Sequence, residues 1–411
     1  MRTLKDQQRM QDLFLQERLD SVIPAAMKET GISCWLIACR EYNEDPVYTH
    51  LTPALVPTAR RLSMLVFAME DGQCRRYSLC LPDGNLEKYY ERAFARTKQN
   101  QMEALRDLLY RLDPKEIGID CSEDFALADG LSAGVYRTLM KELPQDLTDR
   151  FVSAEQLVIR VIETRTESEK KIYPEVVDTA MKIIDEAFSD SVIIPGVTTC
   201  RDVMDFMAQK VNDLGIATWF DPDINLQNEK GWQEEDTVIQ KGDLVHCDFG
   251  ITYMTLNTDH QRNVYILKDG EEELPQELKE AMKRNNRFQD IVRENMKAGV
   301  SGNDVFVQSV RQGKEEGIRP MLYTHPLGLF GHSAGPTIGL YTDQNPQPVR
   351  GDLKVYDNTA YALELNTLEY MEMYQRDTYL YTEESVLFEN GEVRFLAPGR
   401  DTIKVIHGGR R

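Results

Sequence analysis

Four carboxylates in the C-terminal part of the chain have an arrangement that could bind metal ions. Asp248 and Asp259 stand eleven positions apart in HCDFGITYMTLNTDHQR, which alternates like a pair of strands. Glu364 and Glu383 belong to two later strand-like segments, TAYALELNTLEY and YLYTEESVLFENG. Alternation places Asp248 and Glu364 on the strand face opposite their apolar neighbours. A surface hairpin would show the same pattern, but four such acids indicate a shared site.

Two of the six histidines, His325 and His332, fall in one short segment, THPLGLFGHSAGP. The glycines and the proline between them exclude a stable helix, so we expect a bent strand or a loop. A histidine in such a loop is usually a structural residue. Beside four buried acids it becomes a candidate metal ligand or catalytic group.

Carboxylates that share a buried site resist ionisation, so they must be protonated, paired with bases or bound to cations. The available bases, chiefly Arg262, are too few to pair them all. Two divalent metals roughly 3.5 to 4 Å apart would neutralise the site, share a bridging water, lower its pKa and clamp a substrate carbonyl. A ligand set of four carboxylates and one imidazole suits Mn²⁺, Co²⁺ or Fe²⁺ about as well as Zn²⁺.

A weak internal repeat predicts how these acids come together. A helix over residues 167–190 leads into PGVTTCRDVMDFMAQKV, and a helix over residues 275–298 leads into AGVSGNDVFVQSVRQGK. Each helix, turn and second helix is followed by strands that carry two of the acids. We therefore expect a sheet with pseudo-twofold symmetry and four acids at its centre.

The first part of the chain alternates helical and strand-like patterns, which is typical of an α/β domain. It contains the strands SCWLIA and EIGID and a hairpin that turns at Asp71 and Gly72. The charged segment VIRVIETRTESEKKIYPEVV follows and marks a boundary. We expect helices over residues 4–28, 87–112 and 125–142, one domain over residues 1–160 and a second over residues 161–411.

The composition of the chain limits the kinds of partner that it is expected to bind. The chain has 48 basic and 68 acidic residues and a formal net charge of -20. This balance argues against nucleic acid or an anionic membrane as the main partner. The N-terminus is charged and amphipathic, without the apolar core of a signal peptide, which predicts a cytoplasmic protein. The seven cysteines include no Cys-x-x-Cys pair and are expected to be free thiols.

The order Asp248, Asp259, His325, Glu364, Glu383, together with the His-x-x-Gly-x-x-x-His loop that ends at His332, resembles a known family. It is that of the creatinase, Xaa-Pro aminopeptidase, prolidase and methionine aminopeptidase type, which have the pita-bread fold. The resemblance covers residues 165–400, and the preceding region resembles the N-terminal domain of the creatinase and aminopeptidase P branch. It implies a creatinase-like α/β domain followed by an α+β pita-bread metallopeptidase domain with pseudo-twofold symmetry.

The resemblance also implies a ligand set for two divalent metal ions. Asp248 would bind one metal, and His325 and Glu364 would bind the other. Asp259 and Glu383 would bridge both. Glu384 is the alternative to Glu383, because adjacent acids on a strand point to opposite faces.

The activity that the resemblance implies is hydrolysis of the N-terminal peptide bond of small peptides, of the Xaa-Pro aminopeptidase or prolidase type. A hydroxide that bridges the metals would attack the scissile carbonyl. Glu364 would accept its proton, and His332 would hydrogen-bond the substrate and the tetrahedral intermediate. Relatives of this type are commonly homodimers, which we also expect here.

The chain departs from the family pattern at several positions. The Xaa-Pro branch has a substrate-contacting histidine upstream of the first aspartate, and DPDINLQNEKGWQEED contains none. Tyr381 stands where an arginine is common, and His260 and Gln261 replace the usual Ile-Thr. A non-catalytic binding protein and an amidohydrolase of altered specificity on the same fold are therefore alternatives. Trp232, Tyr374, Tyr379 and Tyr381 are candidates to line the cleft.

A serine hydrolase is a rival interpretation. Ser333 lies in GHSAG, which matches Gly-x-Ser-x-Gly, and its triad could be completed by Asp357 or Asp377 with His407. The motif requires a strand before the serine and a helix after it. Pro336 follows instead, so we favour a glycine-rich turn.

Overall fold

The computed structural model describes residues 1–95, 97, 99–234 and 236–408. The chain forms two compact units, Met1–Ser168 and Glu169–Arg411. None of the helices in these described ranges has the length and apolar character needed to cross a membrane. The assignment of the units to a creatinase-like domain and a catalytic domain, with a boundary at 160, stays a prediction.

The first unit is an α/β structure built on a mixed sheet. Its strands are β1 (Cys34–Arg40), β2 (Leu62–Glu70), β3 (Gln73–Ser78), β4 (Glu91–Arg92), β5 (Ile117–Ile119) and β6 (Phe151–Ser153). Its helices are α1 (Leu4–Glu17), α2 (Ile23–Thr30), α3 (Gln101–Leu112), α4 (Ala133–Glu142), α5 (Gln145–Thr148) and α6 (Glu155–Glu163). A short π-helical turn, Arg18–Val22, joins α1 to α2.

The sheet of the first unit has the strand order β4-β3-β2-β1-β5-β6. The predicted hairpin is confirmed, because β2 and β3 pair antiparallel and turn at Asp71 and Gly72, both with positive φ. β5 lies parallel to β1 and β6, as α/β connections require. Leu36 and Val66 of the sheet pack with Leu105 of α3 and Leu139 of α4 in one buried core.

Two helix predictions for this unit are partly wrong. The helix expected over 87–112 begins only at Gln101, because Asn100 and Glu103 form a reciprocal capping box that fixes its start. The residues before it include β4, which pairs with β3 instead. The helix expected over 125–142 begins at Ala133, because the Ser132 side chain accepts a hydrogen bond from the backbone N–H of Val135.

A pair of buried carboxylates lies beside the sheet of the first unit. Asp45 and Asp120 are both 1% exposed, and one oxygen of each has no hydrogen-bond partner among the described residues. Trp35 Nε1 donates to Asp120 Oδ1 at 2.6 Å. Burial raises the pKa of Asp45 to about 6, and burial followed by the charge of Asp45 raises the pKa of Asp120 well above its usual value. A hydrogen bond between the two carboxyl groups lowers the pKa of Asp45 and raises that of Asp120, so we expect them to share a proton.

Replacement of Asp120 by asparagine should change how stability depends on pH. A carboxyl pKa that is raised in the folded state stabilises the protein at low pH, and this stability is lost as the pH rises through about 6. Asp120→Asn supplies a permanent N–H donor in place of the shared proton. Above pH 7 we expect the variant to be more stable than the wild type by on the order of 2 kcal/mol.

Urea unfolding of both proteins between pH 5.5 and pH 8, followed by far-UV circular dichroism, measures this effect. The difference between variant and wild type should grow with pH. Parallel stability curves would contradict the shared proton.

The second unit carries the predicted acids. Its helices are α7 (Glu167–Ala187), α8 (Cys200–Leu214), α9 (Gln276–Asn295) and α10 (Gly302–Glu315). Its strands are β7 (Ala217–Thr218), β8 (Asp223–Asn228), β9 (Gly231–Gln233), β10 (Leu244–Phe249), β11 (Ile251–Tyr253), β12 (Leu256–Asn257), β13 (His260–Ile266), β14 (Pro320–Leu322), β15 (His325–Leu327), β16 (Thr359–Met371), β17 (Arg376–Glu389), β18 (Glu392–Phe395) and β19 (Lys404–Ile406).

The main sheet of this unit follows the order β14-β16-β17-β13-β10-β8-β9, with β15 on β16, β18 on β17 and β19 on β13. One face of it is covered by helices. Leu363 and Leu365 of β16 pack with Phe288 of α9 in a buried core. Glu364 lies between these two leucines and points to the other face.

The two halves of the unit repeat one local structure. Thr199 begins α8 and Ser301 begins α10, and each side chain accepts a hydrogen bond from the N–H of the aspartate three residues on. Each cap residue also forms a β-bridge, Thr199 with Val238 and Ser301 with Lys354. The repeat seen in the sequence is therefore present in the local structure.

Candidate metal centre

Strand register brings three of the four acids into one row. Asp248 of β10 lies opposite Gln261 of β13, Gln261 lies opposite Glu383 of β17, and Glu383 lies opposite Glu364 of β16. Directly paired residues point to the same side of a sheet. Asp248, Gln261, Glu383 and Glu364 therefore project from the face that the helices leave open.

The other two predicted residues join this row from its neighbouring segments. Asp259 precedes Gln261 by two positions, and His325 of β15 pairs with Ala362 of β16. His325 Nε2 lies 3.5 Å from Asp259 Oδ2, 3.7 Å from Glu383 Oε1 and 3.9 Å from Glu364 Oε2. These separations are too long for good hydrogen bonds. They leave the imidazole nitrogen among three carboxylates.

The side chains form two overlapping groups with the geometry to hold a metal ion. One group is Asp259, His325 and Glu383, and the other is Asp248, Glu364 and Glu383. Within each group the ligand atoms lie within 4.8 Å of one another. Glu383 belongs to both. All five residues predicted as ligands are thus brought together in one cluster.

The cluster has buried ligand atoms that nothing in the described chain satisfies. Asp248 Oδ1, Asp259 Oδ1, His325 Nε2 and both carboxylate oxygens of Glu383 have no hydrogen-bond partner among the described residues. Buried polar atoms are normally paired, and each exception requires an explanation. Bound cations would satisfy all five atoms, so the donor set fits divalent metal ions.

The electrostatics of the cluster also call for positive charge. Burial, followed by the charges of Asp259 and Glu364, raises the pKa values of Asp248 and Glu383 well above their usual values. Burial raises the pKa of Glu364 to about 8, although His325 opposes the rise. Burial alone would lower the pKa of His325, but Asp259 raises it. Carboxylates in this setting ionise fully only with a cation beside them.

The acid next to Glu383 lies on the other side of the sheet. Glu384 is fully buried and its Oε1 lies 2.8 Å from Arg262 Nη1. Arg262 also donates to the backbone carbonyl of Glu383 at 3.0 Å. Of the two adjacent acids, Glu383 faces the cluster, and Glu384 is neutralised by an ion pair.

Comparison of the sequence with known families gives one match. The sequence pattern of metallopeptidase family M24 covers residues 175–393, which is more than half of the 411 residues. The chain belongs to this family. The match spans all five clustered residues and confirms the prediction of a metallopeptidase at the level of the family. No curated protein sequence matches the chain.

Several solved structures are similar to this chain over most of its length. The X-Pro aminopeptidase from Thermotoga maritima is 19% identical, with a TM-score of 0.67 over 93% of this chain and 99% of that one. The Xaa-Pro dipeptidase from Bacillus anthracis is 17% identical, with a TM-score of 0.64 over 95% and 99%. The N-terminal domain of a FACT complex subunit from Cicer arietinum is 11% identical, with a TM-score of 0.63 over 96% and 99%.

These matches extend over both units of the M24 chain. They confirm the predicted fold class, an N-terminal α/β domain followed by a pita-bread domain. At these identities the solved structures show the fold alone. Substrate and mechanism must be argued from the chain's own residues.

Gln261 is a residue at the M24 site whose role the sequence did not reveal. Its Nε2 donates to Glu364 Oε1 at 2.6 Å and lies 3.5 Å from Asp248 Oδ2. Its Oε1 lies 3.0 Å from Nε2 of His246, another residue that the sequence reading missed. The sequence showed Gln261 as a departure from the family. Its position in the acid row depends on the long-range register of β13 with β17.

His332 lies at the exposed edge of the cluster. Its ring centroid is 4.6 Å from that of His325 and 5.0 Å from that of Trp219. Burial, followed by the charge of His325, lowers the pKa of His332. Trp219 donates from Nε1 to the carbonyl of Thr258 at 2.9 Å. A Cβ added at Gly331 would lie 2.1 Å from Trp219, so this glycine lets the indole pack beside His332.

The serine-hydrolase interpretation is wrong. Ser333 Oγ is buried without a hydrogen-bond partner among the described residues, and no helix lies between Ser333 and β16 in this described stretch. Asp377 pairs with Arg319, and Asp357 accepts a hydrogen bond from the backbone N–H of Gly391. A serine nucleophile needs a base within hydrogen-bond reach, and Ser333 has none there.

Proposed function

We propose that the chain is a dinuclear metal-dependent peptidase that hydrolyses the N-terminal peptide bond of small peptides, of the Xaa-Pro aminopeptidase or prolidase type. The observation that carries the proposal is the pair of ligand groups that share Glu383. Five buried atoms without hydrogen-bond partners in the described chain support it. A single metal ion would leave one of the two groups unneutralised.

The proposed ligand set is the one that the family resemblance implies. It differs from the observed groups, in which Glu364 lies with Asp248, and Asp259 lies only with His325 and Glu383. Asp248 would hold one metal ion and His325 with Glu364 the other, while Asp259 and Glu383 would bridge them. Mn²⁺ suits this oxygen-rich set, with Co²⁺, Zn²⁺ and Fe²⁺ as alternatives. When bound, the metals would activate a water molecule and polarise the scissile carbonyl.

The residues around the ligands support the other parts of the reaction. Glu364 is the proposed proton acceptor, and Gln261 holds its Oε1 so that Oε2 is directed toward His325. His332 is exposed at the edge of the cluster, where an imidazole N–H can donate to the oxygen of the reacting carbonyl. Trp219 packs edge-on against His332 and limits its movement.

The proposal also covers the compartment, the oligomeric state and the partners of the enzyme. All seven cysteines are free, which fits a reducing compartment such as the cytoplasm. We propose a homodimer that acts on short peptides and does not bind nucleic acid or membranes. The net charge of -20 supports the absence of polyanionic partners.

A second candidate function is a binding protein or an amidohydrolase of altered specificity on the same fold. The observation that favours it is Gln261, whose amide N–H₂ group lies between Glu364 and Asp248. A donor in this position competes with a cation for the two carboxylates.

Metal analysis combined with a peptide assay tests the proposal. We expect the purified protein to bind two Mn²⁺ ions per chain and to hydrolyse Xaa-Pro dipeptides. A chelator should abolish this activity, added Mn²⁺ should restore it, and a serine-reactive phosphonate should have no effect. A protein that binds two metals without hydrolysing any short peptide would support the binding function, and a protein that binds no metal would overturn the site.

A further inference from the structure

Beside the metal centre lies a set of aromatic side chains that the proposed reaction does not use. We call Trp232, Tyr341, Tyr379 and Tyr381 the aromatic wall. Its members meet at Tyr381, whose ring centroid lies 5.5 Å from that of Trp232 and 5.6 Å from that of Tyr379. The hydroxyl of Tyr341 lies 3.4 Å from the hydroxyl of Tyr381.

The wall exposes an unusual amount of aromatic surface. Trp232 is 40% exposed, Tyr341 is 52% exposed and Tyr379 is 38% exposed. Single exposed rings are common on protein surfaces, but a contiguous group of them marks a binding site. Aromatic side chains contribute large contact areas and lose little conformational entropy on binding.

The aromatic wall lies next to the acids on the same face of the sheet. Tyr381 precedes Glu383 by two positions on β17, so both side chains point to the same face about 7 Å apart. His246 likewise precedes Asp248 on β10, and its ring centroid lies 5.3 Å from that of Tyr381. A peptide whose scissile amide lies at the acids would place an adjoining side chain over Tyr381.

Buried amides hold the wall in place. Gln227 donates to the carbonyl of Tyr379 at 2.7 Å and accepts from its N–H at 2.9 Å. Asn263 donates to the carbonyl of Tyr381 at 2.6 Å. Gln227 and Asn263 are 5% and 4% exposed. They support the backbone of β17 beyond its single pairing with β13, so the wall is preorganised for a ligand.

The groups beneath the wall are polar. His246 is buried, with its Nε2 3.0 Å from Oε1 of Gln261 and its Nδ1 3.2 Å from Oδ1 of Asn225. Asn366 lies opposite Tyr381 on β16 and donates to the hydroxyl of Tyr323 at 3.2 Å. Exposed rings over hydrogen-bonded polar groups favour a flat, largely apolar ligand.

We propose that the aromatic wall is a specificity site for an aromatic side chain of the substrate residue that adjoins the scissile amide. This inference rests on the proposed peptidase function and names its preferred substrate class. Trp232 and Tyr379 are its exposed contact residues, and Tyr381 connects them to the metal centre.

Matched peptides measure the preference. The metal-loaded protein is assayed with Phe-Pro, Ala-Pro, Lys-Pro, Ala-Phe and Ala-Ala, and kcat/KM is determined for each. We expect the aromatic peptide at one of the two positions to exceed its alanine counterpart by about 10-fold or more. Trp232→Ala and Tyr379→Ala should each reduce this ratio several-fold, and Trp232→Phe should retain most of it.

Tyr370→Ala is the matched control. Tyr370 is 52% exposed on β16 and outside the wall, so its removal should leave the ratio unchanged. Equal kcat/KM values for the aromatic and alanine peptides would overturn the inference. A preference for Lys-Pro that is lost in Trp232→Ala would also overturn it. The same holds if Trp232→Ala dissociates a dimer in sedimentation while the ratio of kcat/KM for the aromatic and alanine peptides is unchanged.

Failure of the proposed function gives a different result. If no peptide is hydrolysed, calorimetric binding of Phe-Pro and Ala-Pro to the same variants decides the inference. Tighter binding of Phe-Pro that depends on Trp232 supports the wall without turnover. Equal binding of both peptides overturns it.

Discussion

Replacement of Glu383 by glutamine is expected to remove bound metal and activity together. Glu383 belongs to both ligand groups, and its two oxygens have no hydrogen-bond partner in the described chain. Glutamine keeps the shape but loses the negative charge that a bridging ligand needs. Because changes to residues behind a ligand already cost about 10- to 100-fold in metal affinity, loss of the bridging ligand should cost at least about 100-fold.

The same variant should be more stable than the wild type once metal is removed. Without cations the wild-type cluster holds buried carboxylates against one another, which is costly. Glu383→Gln removes one of these acids, so we expect the metal-free variant to unfold at a higher temperature than the metal-free wild type. Metal content, kcat/KM for an Xaa-Pro peptide and thermal unfolding with and without chelator are the three measurements.

Glu384→Gln is the matched control because it makes the same chemical change one residue away. Glu384 lies on the opposite face and pairs with Arg262 at 2.8 Å. Loss of its charge should destabilise the fold by about 1 to 3 kcal/mol, while metal content stays at the wild-type value. If Glu384→Gln loses its metal while Glu383→Gln keeps it, then Glu384 is the metal ligand and the assignment of Glu383 is wrong.

The contrast between these two glutamates shows what the sequence could predict. Strand alternation and the internal repeat pointed to Asp248, Asp259, Glu364 and the adjacent pair Glu383 and Glu384. The family resemblance added His325 as a ligand and the preference for Glu383. The choice between Glu383 and Glu384 needed the strand face that packs on α9. That face follows from the pairing of β16 with β17, which the alternation of apolar residues only suggests.

Residues whose positions depend on contacts between distant parts of the sequence were harder to predict. Gln261 joins the acid row only because β13 pairs with β17 at Glu383, 122 positions along the chain. Trp219 reaches His332 because Gly331 leaves room for its indole. The start of α3 at Gln101 depended on a capping box that a helical periodicity does not reveal. The structure therefore adds most where a residue's position depends on strand register, on a close contact at a glycine or on a helix cap. These features could not be predicted from the sequence.

Replacement of His332 by alanine is expected to lower kcat without loss of metal. His332 is not a member of either ligand group, and its ring lies 4.6 Å from that of His325 at the open edge of the cluster. If it donates to the oxygen of the reacting carbonyl, its loss removes a hydrogen bond that is strongest in the transition state. One such donor is worth about 100-fold or more in kcat. Metal analysis and steady-state kinetics on one Xaa-Pro peptide measure both effects.

Two further variants separate this role from a structural one. His332→Gln retains an N–H donor, so its kcat should be higher than that of His332→Ala. If His332 only packs against Trp219, the presence of a donor should make no difference to kcat. His407→Ala removes another exposed histidine of the same unit and should leave both kcat and metal content unchanged. A His332→Ala protein that loses its metal would instead make His332 a ligand, and one with wild-type kcat would remove it from the reaction. Because His332 is exposed, neither substitution is expected to change the unfolding temperature, so a loss of activity reports on the chemistry and not on the fold.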